Sequence, residues 1–369
     1  MTIRFYIMLF IYFLLPQTVN AQHNMQVTFI NPGFSTVNNP TGEFWPSVSS
    51  AMQAAADDLE VDLEIIYSDR NHIQMNRIAK QVLSRATPPD YIIVVNEKNS
   101  AEKIVETAEQ KGVNIFLMLN SFEGRQRLRM GSPRSKYKHW IGSLIPNNYY
   151  AGYLSATELI DQALRQGIKA DDGNLHLIGY SGDSVTQASI ARVAGLEKAI
   201  SEYPNVLLKQ VVSADWSKEI AKHKTLSMLK RYPQLGAIWS ANDPIALGAL
   251  EGAKEMGKSP GEDILFSGIN WDSEALKKIQ KEQMVTSLGG HFMTGAWALV
   301  ALYDYHNGKD FIDEGLELEP NTFQIIDNYN VNHYLRKFSE KNWEQIDFTD
   351  FSKTLNSSLK QYNFRLRYD

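Results

Sequence analysis

Ala-Ile-Trp-Ser-Ala-Asn-Asp-Pro-Ile-Ala-Leu-Gly-Ala-Leu, residues 237–250, is the stretch whose reading decides the fold. Ala237 to Trp239 is a short apolar run of the kind that forms a buried strand, and the small polar turn Ser240 to Asp243 leads straight into a helical pattern. Asn242 or Asp243 serves as the N-cap. Pro244 suits the first helical position, where its missing N–H would have had no intrahelical partner. Asn242 therefore stands at the carboxyl end of a strand. Open α/β sheets bind ligands at that edge, and an amide that both donates and accepts hydrogen bonds is suited to a small polar molecule there.

The same switch repeats outward in both directions. Toward the N-terminus, strand-like runs at Val27 to Ile30, Leu63 to Tyr67, Tyr91 to Val95 and Ile115 to Leu119 alternate with helical patterns near Glu43 to Leu59, His72 to Arg85 and Ser100 to Lys111. A second series has strands at Leu175 to Gly179, Leu207 to Val212, Gly236 to Trp239 and Ile264 to Ser267. Its helices lie near Asn148 to Arg165, Thr186 to Ser201, Lys218 to Arg231, Pro244 to Met256 and Ser273 to Lys281. Strands alternating with helices are the βαβ signature of a parallel sheet, so the fold class is α/β with two layers in tandem. The break between them falls near Ile141 to Pro146. Val285 to Leu288, a helix at Thr294 to Asn307 and a strand near Thr322 to Ile326 are left over once the second layer is complete.

A length of 369 residues suits two domains rather than one core, and 43% apolar residues suffice to fill both. The formal net charge of -5 gives no general drive toward nucleic acid. At the N-terminus, Arg4 precedes an apolar run from Phe5 to Leu15, Pro16 breaks it, and Val19-Asn20-Ala21 has the small residues of a cleavage site. This is the pattern of a signal peptide over residues 1–21, because the run is far below the roughly 20 residues a membrane span needs. Cysteine is absent, which excludes a disulfide scaffold and an acyl-cysteine anchor. Export then points to the periplasm.

Catalytic and cofactor motifs are missing. Gly252-Ala-Lys-Glu-Met-Gly257-Lys258-Ser259 matches a phosphate-binding loop formally, but a working loop opens a helix and this one closes it, so no nucleotide is expected. Ser181 lacks the Gly-x-Ser-x-Gly frame, the eight histidines form no zinc pattern, and adjacent Asp57 and Asp58 cannot face each other on a helix. Neither an enzyme nor a metal or cofactor protein is expected. The run 124–138 carries Arg125, Arg127, Arg129, Arg134, Lys136 and Lys138 without an acid; it reads as a solvated loop, the alternative being a contact surface for an acidic partner. The tail 331–369 is polar, aromatic-rich and without clear periodicity. Phe44 and Trp45, in Asn39-Pro40-Thr-Gly-Glu43-Phe44-Trp45, follow the first strand, and Trp216 follows the strand at Leu207 to Val212. Both edges could offer flat faces to a sugar ring, or each aromatic could pack into its own lobe.

Ala241-Asn242-Asp243 with Ala246-Leu247-Gly248-Ala249-Leu250, supported by Phe44-Trp45, Ala214-Asp215-Trp216, Arg192-Val-Ala-Gly195 and Gly268-Ile-Asn270, resembles the ribose- and galactose-type periplasmic solute-binding proteins. The resemblance covers about residues 25 to 326. It implies two Rossmann-like lobes joined by three crossovers, with the ligand in the cleft between them. The expected parts are a first lobe of residues 22–142 plus 286–322, a second of 143–285 plus 323–330, and an extension at 331–369. By resemblance Phe44, Trp45, Trp216, Asn242 and Asn270 are ligand contacts, with Asn270 where the family commonly has Asp. Asn120-Ser121 replaces a frequent Asp-Arg pair, and the helix arginine is read as absent, with Ser189 or Ile190 in its place. The implied function is capture of a small polar, sugar-like ligand for a membrane transporter; the alternative is presentation to a membrane sensor kinase. Relatives fused to a DNA-binding helix-turn-helix are excluded by the export signal and by the early first strand.

Overall fold

The computed structural model describes residues 24–36, 39–339 and 341–368; the signal-peptide assignment lies outside them. Each half of the chain folds around a six-stranded sheet. The first sheet has the order β11-β5-β4-β3-β1-β2, where β1 is Gln26–Asn31, β2 Asp62–Tyr67, β3 Tyr91–Val94, β4 Asn114–Met118, β5 Trp140–Leu144 and β11 Glu317–Leu318. All its pairings are parallel. The second has the order β12-β10-β9-β8-β6-β7, with β6 Leu175–Ser181, β7 Val206–Ser213, β8 Leu235–Ser240, β9 Leu265–Ile269, β10 Thr286–Gly289 and β12 Gln324–Asp327. Only β12, which returns from the first lobe, runs antiparallel to its neighbour.

Burial explains these runs. Central strands β3 and β8 are buried at every position, as befits strands covered by helices on both faces, whereas the edge strand β7 is mostly half-exposed. In each sheet the chain order reverses between two central strands, β1 and β3 in one, β6 and β8 in the other. The connections after them leave in opposite directions and open a crevice at the carboxyl ends. Helices α1 (Phe44–Asp58), α2 (His72–Leu83), α3 (Glu102–Lys111) and α4 (Gly124–Met130) belong to the first series; α5 (Asn148–Arg165), α6 (Gln187–Ile200), α7 (Lys218–Arg231), α8 (Asp243–Glu255) and α9 (Ser273–Gln280) belong to the second. Helix α10 (Thr294–His306) follows β10 but packs on α1, so it returns to the first lobe.

Two lobe boundaries differ from the sequence assignment. The presumed break at Ile141 to Pro146 contains β5, a full strand of the first sheet, and the crossing follows it. Residues 286–289 pair with β9 as β10, so they lie in the second sheet and not in the first lobe. Nothing local in Val285 to Leu288 encodes which sheet it joins. The second crossing is therefore at Gly290, whose φ of 94° is left-handed; a Cβ there would stand 2.4 Å from the Thr322 carbonyl oxygen. The second and third crossovers thus touch.

The tail is more ordered than its composition suggests. Val331, Tyr334 and Phe338 recur at helical spacing and form the buried face of α11 (Val331–Phe338), which packs on α9 and β12. The chain then crosses to the first lobe, where Trp343 Nε1 donates to Ser50 Oγ at 3.1 Å and Phe348 N to Asp58 at 2.8 Å. Buried Asp304 of α10 anchors this segment, accepting from Ser352 Oγ, the N–H groups of Lys353 and Thr354, and Tyr362 OH. Finally Gln324 Nε2 donates to the Leu366 carbonyl at 2.9 Å, and Tyr368 meets Trp271 edge-on, back on the second lobe. The basic run is likewise engaged within the chain. Half of it is α4, Arg127 pairs with Glu317, Arg129 with Glu102, and Arg134 with Asp310 through both guanidinium nitrogens.

Candidate ligand-binding site

The carboxyl ends of both sheets face one another across a cavity. From the first lobe it is lined by Phe44 and Trp45 at the start of α1, Arg70 after β2, Glu97 after β3, and Leu119 and Asn120 after β4. The second lobe contributes Arg192 of α6, Trp216 after β7, Asn242 after β8 and Asn270 after β9. Asn148 and His291 come from the first and second crossovers.

Four of these wall residues have left-handed backbone: Arg70 (φ 60°), Leu119 (φ 65°), Trp216 (φ 61°) and Asn270 (φ 147°). Such conformations cost about 1–3 kcal/mol each in a non-glycine residue and persist where the surroundings enforce them. Here they turn side chains at the ends of strands into the cleft. Trp216 is also held from outside, its indole Nε1 donating to Asp183 Oδ2 at 2.8 Å while its ring lies over Gly182, where a Cβ would be 2.2 Å away. Burial pushes the Asp183 carboxyl up, but hydrogen bonds from Thr186, Trp216 and Val185 outweigh it and bring it below its ordinary value. Asp183 is a fixed carboxylate.

Arg192 is the hub of the second-lobe wall. It is 4% exposed and donates from Nε to Asn148 Oδ1 (2.9 Å), from Nη1 to the Ala241 carbonyl (2.7 Å) and from Nη2 to His291 Nε2 (3.1 Å). Trp216 and Phe323 flank its guanidinium at 5.8 and 5.7 Å. Burial lowers its pKa from 12.5 to about 9, so it is still charged at neutral pH, although every acceptor it holds is neutral. Because Nε2 of His291 accepts, the ring proton sits on Nδ1, which is buried and has no hydrogen-bond partner. Burial, reinforced by Arg192, pushes His291 well below the usual histidine range and keeps it neutral. Its ring is stacked between Phe44 (4.7 Å) and Phe323 (4.5 Å).

Two contacts join the lobes across the cavity. Asn120 Oδ1 accepts from the Ala188 N–H at 3.0 Å. Helix α6 has no cap from its own Thr186, whose hydroxyl donates to Asp183, so Asn120 of the opposite lobe supplies the capping oxygen. Near the entrance, Glu43 accepts from the N–H and hydroxyl of Ser273 and pairs with Lys341 of the tail.

Of the residues expected from sequence, Phe44, Trp45, Asn120, Trp216, Asn242 and Asn270 are brought together in this wall. Asn242 also caps α8, its Oδ1 accepting from Ile245 N at 3.0 Å, and Asn120 spends its oxygen on Ala188. Ser189 does not line the cavity; it is 1% exposed and its hydroxyl has no partner. The helix near Thr186 to Arg192, read as lacking an arginine with Ser189 or Ile190 in its place, brings Arg192 itself into the wall of the cavity. Arg70, Glu97, Asn148 and His291 were not anticipated. The strand-edge rule, applied after Tyr67 and Val95 as it was after Trp239, reaches Arg70 and Glu97, but no local signal marks the two crossover residues. Gly257 and Lys258 lie at the carboxyl end of α8, where Lys258 N bonds back to the Ala253 carbonyl, so that segment has no phosphate-binding geometry. Among the described residues no group of three His, Asp or Glu could hold a metal ion, and no helix is long and apolar enough to cross a membrane.

The profile of the periplasmic binding protein domain matches residues 33–310. This chain belongs to the periplasmic binding protein family. A periplasmic sugar-binding protein from Pseudomonas fluorescens is 33% identical to this binding protein, over 93% of this chain and 98% of that one, with a TM-score of 0.80. The ribose import binding protein of Escherichia coli is 23% identical over 69% of this chain and 76% of its own length. The D-apiose import binding protein of Actinobacillus succinogenes is 26% identical, in a match that spans 37% of this chain and 41% of that protein. The fold of this binding protein is the two-lobed, type I arrangement of the family.

Proposed function

We propose that this periplasmic binding protein is exported by its N-terminal signal segment, closes its two lobes over one small polar, sugar-like molecule, and delivers it to an ABC importer. The observation that carries the reading is a cavity walled from both lobes by aromatic faces and fixed polar groups, with the Asn120–Ala188 bond made across it. Ligand binding drives closure only through contacts made in the closed form, and such a wall makes them from both sides at once. Phe44, Trp45 and Trp216 supply stacking faces; Asn242, Asn270, Arg192 and Glu97 orient hydroxyl groups. The names of the relatives, ribose and D-apiose import binding proteins and a sugar-binding protein, favour a sugar over other polar solutes. They are binding proteins, which fits the absence of a paired acid and base in the sequence motifs. The basic run, whose alternative reading was a contact surface for an acidic partner, and the tail are both engaged by contacts within the chain.

Mass spectrometry of small molecules released from the purified protein, followed by a thermal-shift panel of neutral sugars, tests the reading. A bound sugar should also change tryptophan fluorescence through Trp216 and Trp45. A protein that releases no sugar and shifts with none on the panel refutes it.

A further inference from the structure

Glu97 stands apart from the other carboxylates of this protein. It is 2% exposed and lines the cavity, yet no hydrogen bond among the described residues reaches its Oε1. Arg70 Nη2 lies 2.8 Å away but off the hydrogen-bonding line. Arginine–carboxylate pairs elsewhere in the chain are made with two nitrogens on two oxygens, as in Arg85–Glu64 and Arg134–Asp310, and those sit partly in solvent. A pair kept for stability would resemble them, since burying a charge with its acceptor sites unfilled is costly. Neighbouring donors are committed: Asn96 Nδ2 donates to the Ser121 carbonyl and to Gln126. Both members of the pair stand on left-handed backbone or beside it, Arg70 next to Asp69 and Glu97 before Lys98 and Asn99, so the turns that aim them are strained.

Asn120, after the fourth strand, spends its oxygen on Ala188. An acid and a guanidinium of the first lobe line the cavity at the ends of the third and second strands. We propose that Glu97, positioned by Arg70, is the specificity-determining acceptor of the first lobe, and that it selects a neutral polyhydroxylated ligand against the corresponding sugar acid. A ligand hydroxyl donates to the unfilled oxygen. A ligand carboxylate at this end would face the Glu97 carboxyl. The inference rests on the proposed function, since it names the chemistry of that same ligand.

The test uses the full mature chain and a panel of D-ribose, D-allose, D-galactose, L-arabinose, myo-inositol and D-galacturonate, read by calorimetry and tryptophan fluorescence. Glu97→Gln keeps the shape and removes the charge; it should weaken the best neutral ligand at least tenfold while leaving the ligand-free melting temperature unchanged or higher. Glu97→Asp, which keeps the charge and withdraws it, should weaken binding as well. Normal affinity with a lower melting temperature would show a structural ion pair and overturn the assignment, as would a wild-type preference for galacturonate over galactose. A wild-type protein that binds nothing on the panel would remove the proposed function and this inference together, whereas sugar binding indifferent to Glu97→Gln removes the inference alone.

Discussion

Replacing Arg192 by methionine separates what holds the lobe together from what holds the ligand. The substitution removes three charge-assisted hydrogen bonds and leaves the Ala241 carbonyl, Asn148 Oδ1 and His291 Nε2 without a donor. Each unfilled buried acceptor costs about 1–3 kcal/mol. Against that stands the cost of burying the guanidinium, which lowers its pKa from 12.5 to about 9 and so disfavours the charged form by roughly 5 kcal/mol. The partners are neutral, so no orphaned charge remains, and Met fills the space between Trp216 and Phe323. Set against each other, the two effects leave a loss of no more than about 4 kcal/mol in the ligand-free protein. Affinity has no such offset. Arg192 fixes the Ala241–Asn242 edge and His291 and has N–H groups left for the ligand, so loss of one charged hydrogen bond's worth, about 2 kcal/mol, means about 30-fold weaker binding. Thermal melts paired with calorimetry on the same preparations decide it. A variant that unfolds but binds normally when folded, or one with unchanged affinity, refutes the reasoning.

Asn120→Ala removes a cap that exists only when the lobes meet, so affinity should fall about fivefold, for a cap worth about 1 kcal/mol, with little change in the ligand-free melt; unaltered affinity would show that the bond plays no part in closure. Asp304→Ala strips four donors of their acceptor and should free the tail, at about 3 kcal/mol or more, read as faster tryptic cleavage at Lys353 and Lys360; a cleavage rate equal to wild type would contradict this anchoring. Asp243 and Asp272 are buried side by side, and burial pushes both above the usual carboxylate range, mutual repulsion adding to Asp272 while Lys341 opposes and Glu43 reinforces it. Acids raised in the folded state bind protons more tightly there than when unfolded, so their contribution is most favourable at low pH and is lost as pH climbs from about 4 toward and beyond neutrality. Asp272→Asn should therefore melt higher than wild type at pH 8 by a larger margin than at pH 5, and a constant difference across that range would remove the pair as its source.

Much of this was legible in the chain, for identifiable reasons. The stretch at 237–250 forms β8 and α8 with Asn242 as the cap, because a fully buried strand and a capped helix both leave local marks. Strand β5 left none: Gly142 and Ser143 dilute its apolar run, and Gly142 is small because the Phe311 ring lies 2.6 Å from where a Cβ would be. Lobe membership of β10 and of α10 is a matter of pairing partners far along the chain. Within the site, aromatic and amide residues at strand ends could be found by position. Glu97 lies within reach of the same strand-edge rule, whereas Arg192 stands inside a helix, and because charged residues are mostly solvated nothing local marks it as buried.

The tail alters how closure should be understood. A hinge built only from three crossovers would let the lobes part freely. Here α11 sits on the second lobe, the segment from Trp343 to Phe364 lies on the first, and Leu366 and Tyr368 return to the second. Lys341, where the chain passes between lobes, pairs with Glu43, which itself accepts from Ser273 across the entrance. Burial pushes Glu43 up, but Lys341 and Ser273 hold it below its ordinary value, so this link is complete above about pH 4.5 and is lost as the pH falls below that. Opening the cleft must break the Glu43–Ser273 bonds while the tail remains attached on both sides. The tail thus ties the two lobes together beside the second crossover, where Trp343 packs on Phe292, so the ligand acts on a hinge that is already bridged on that side.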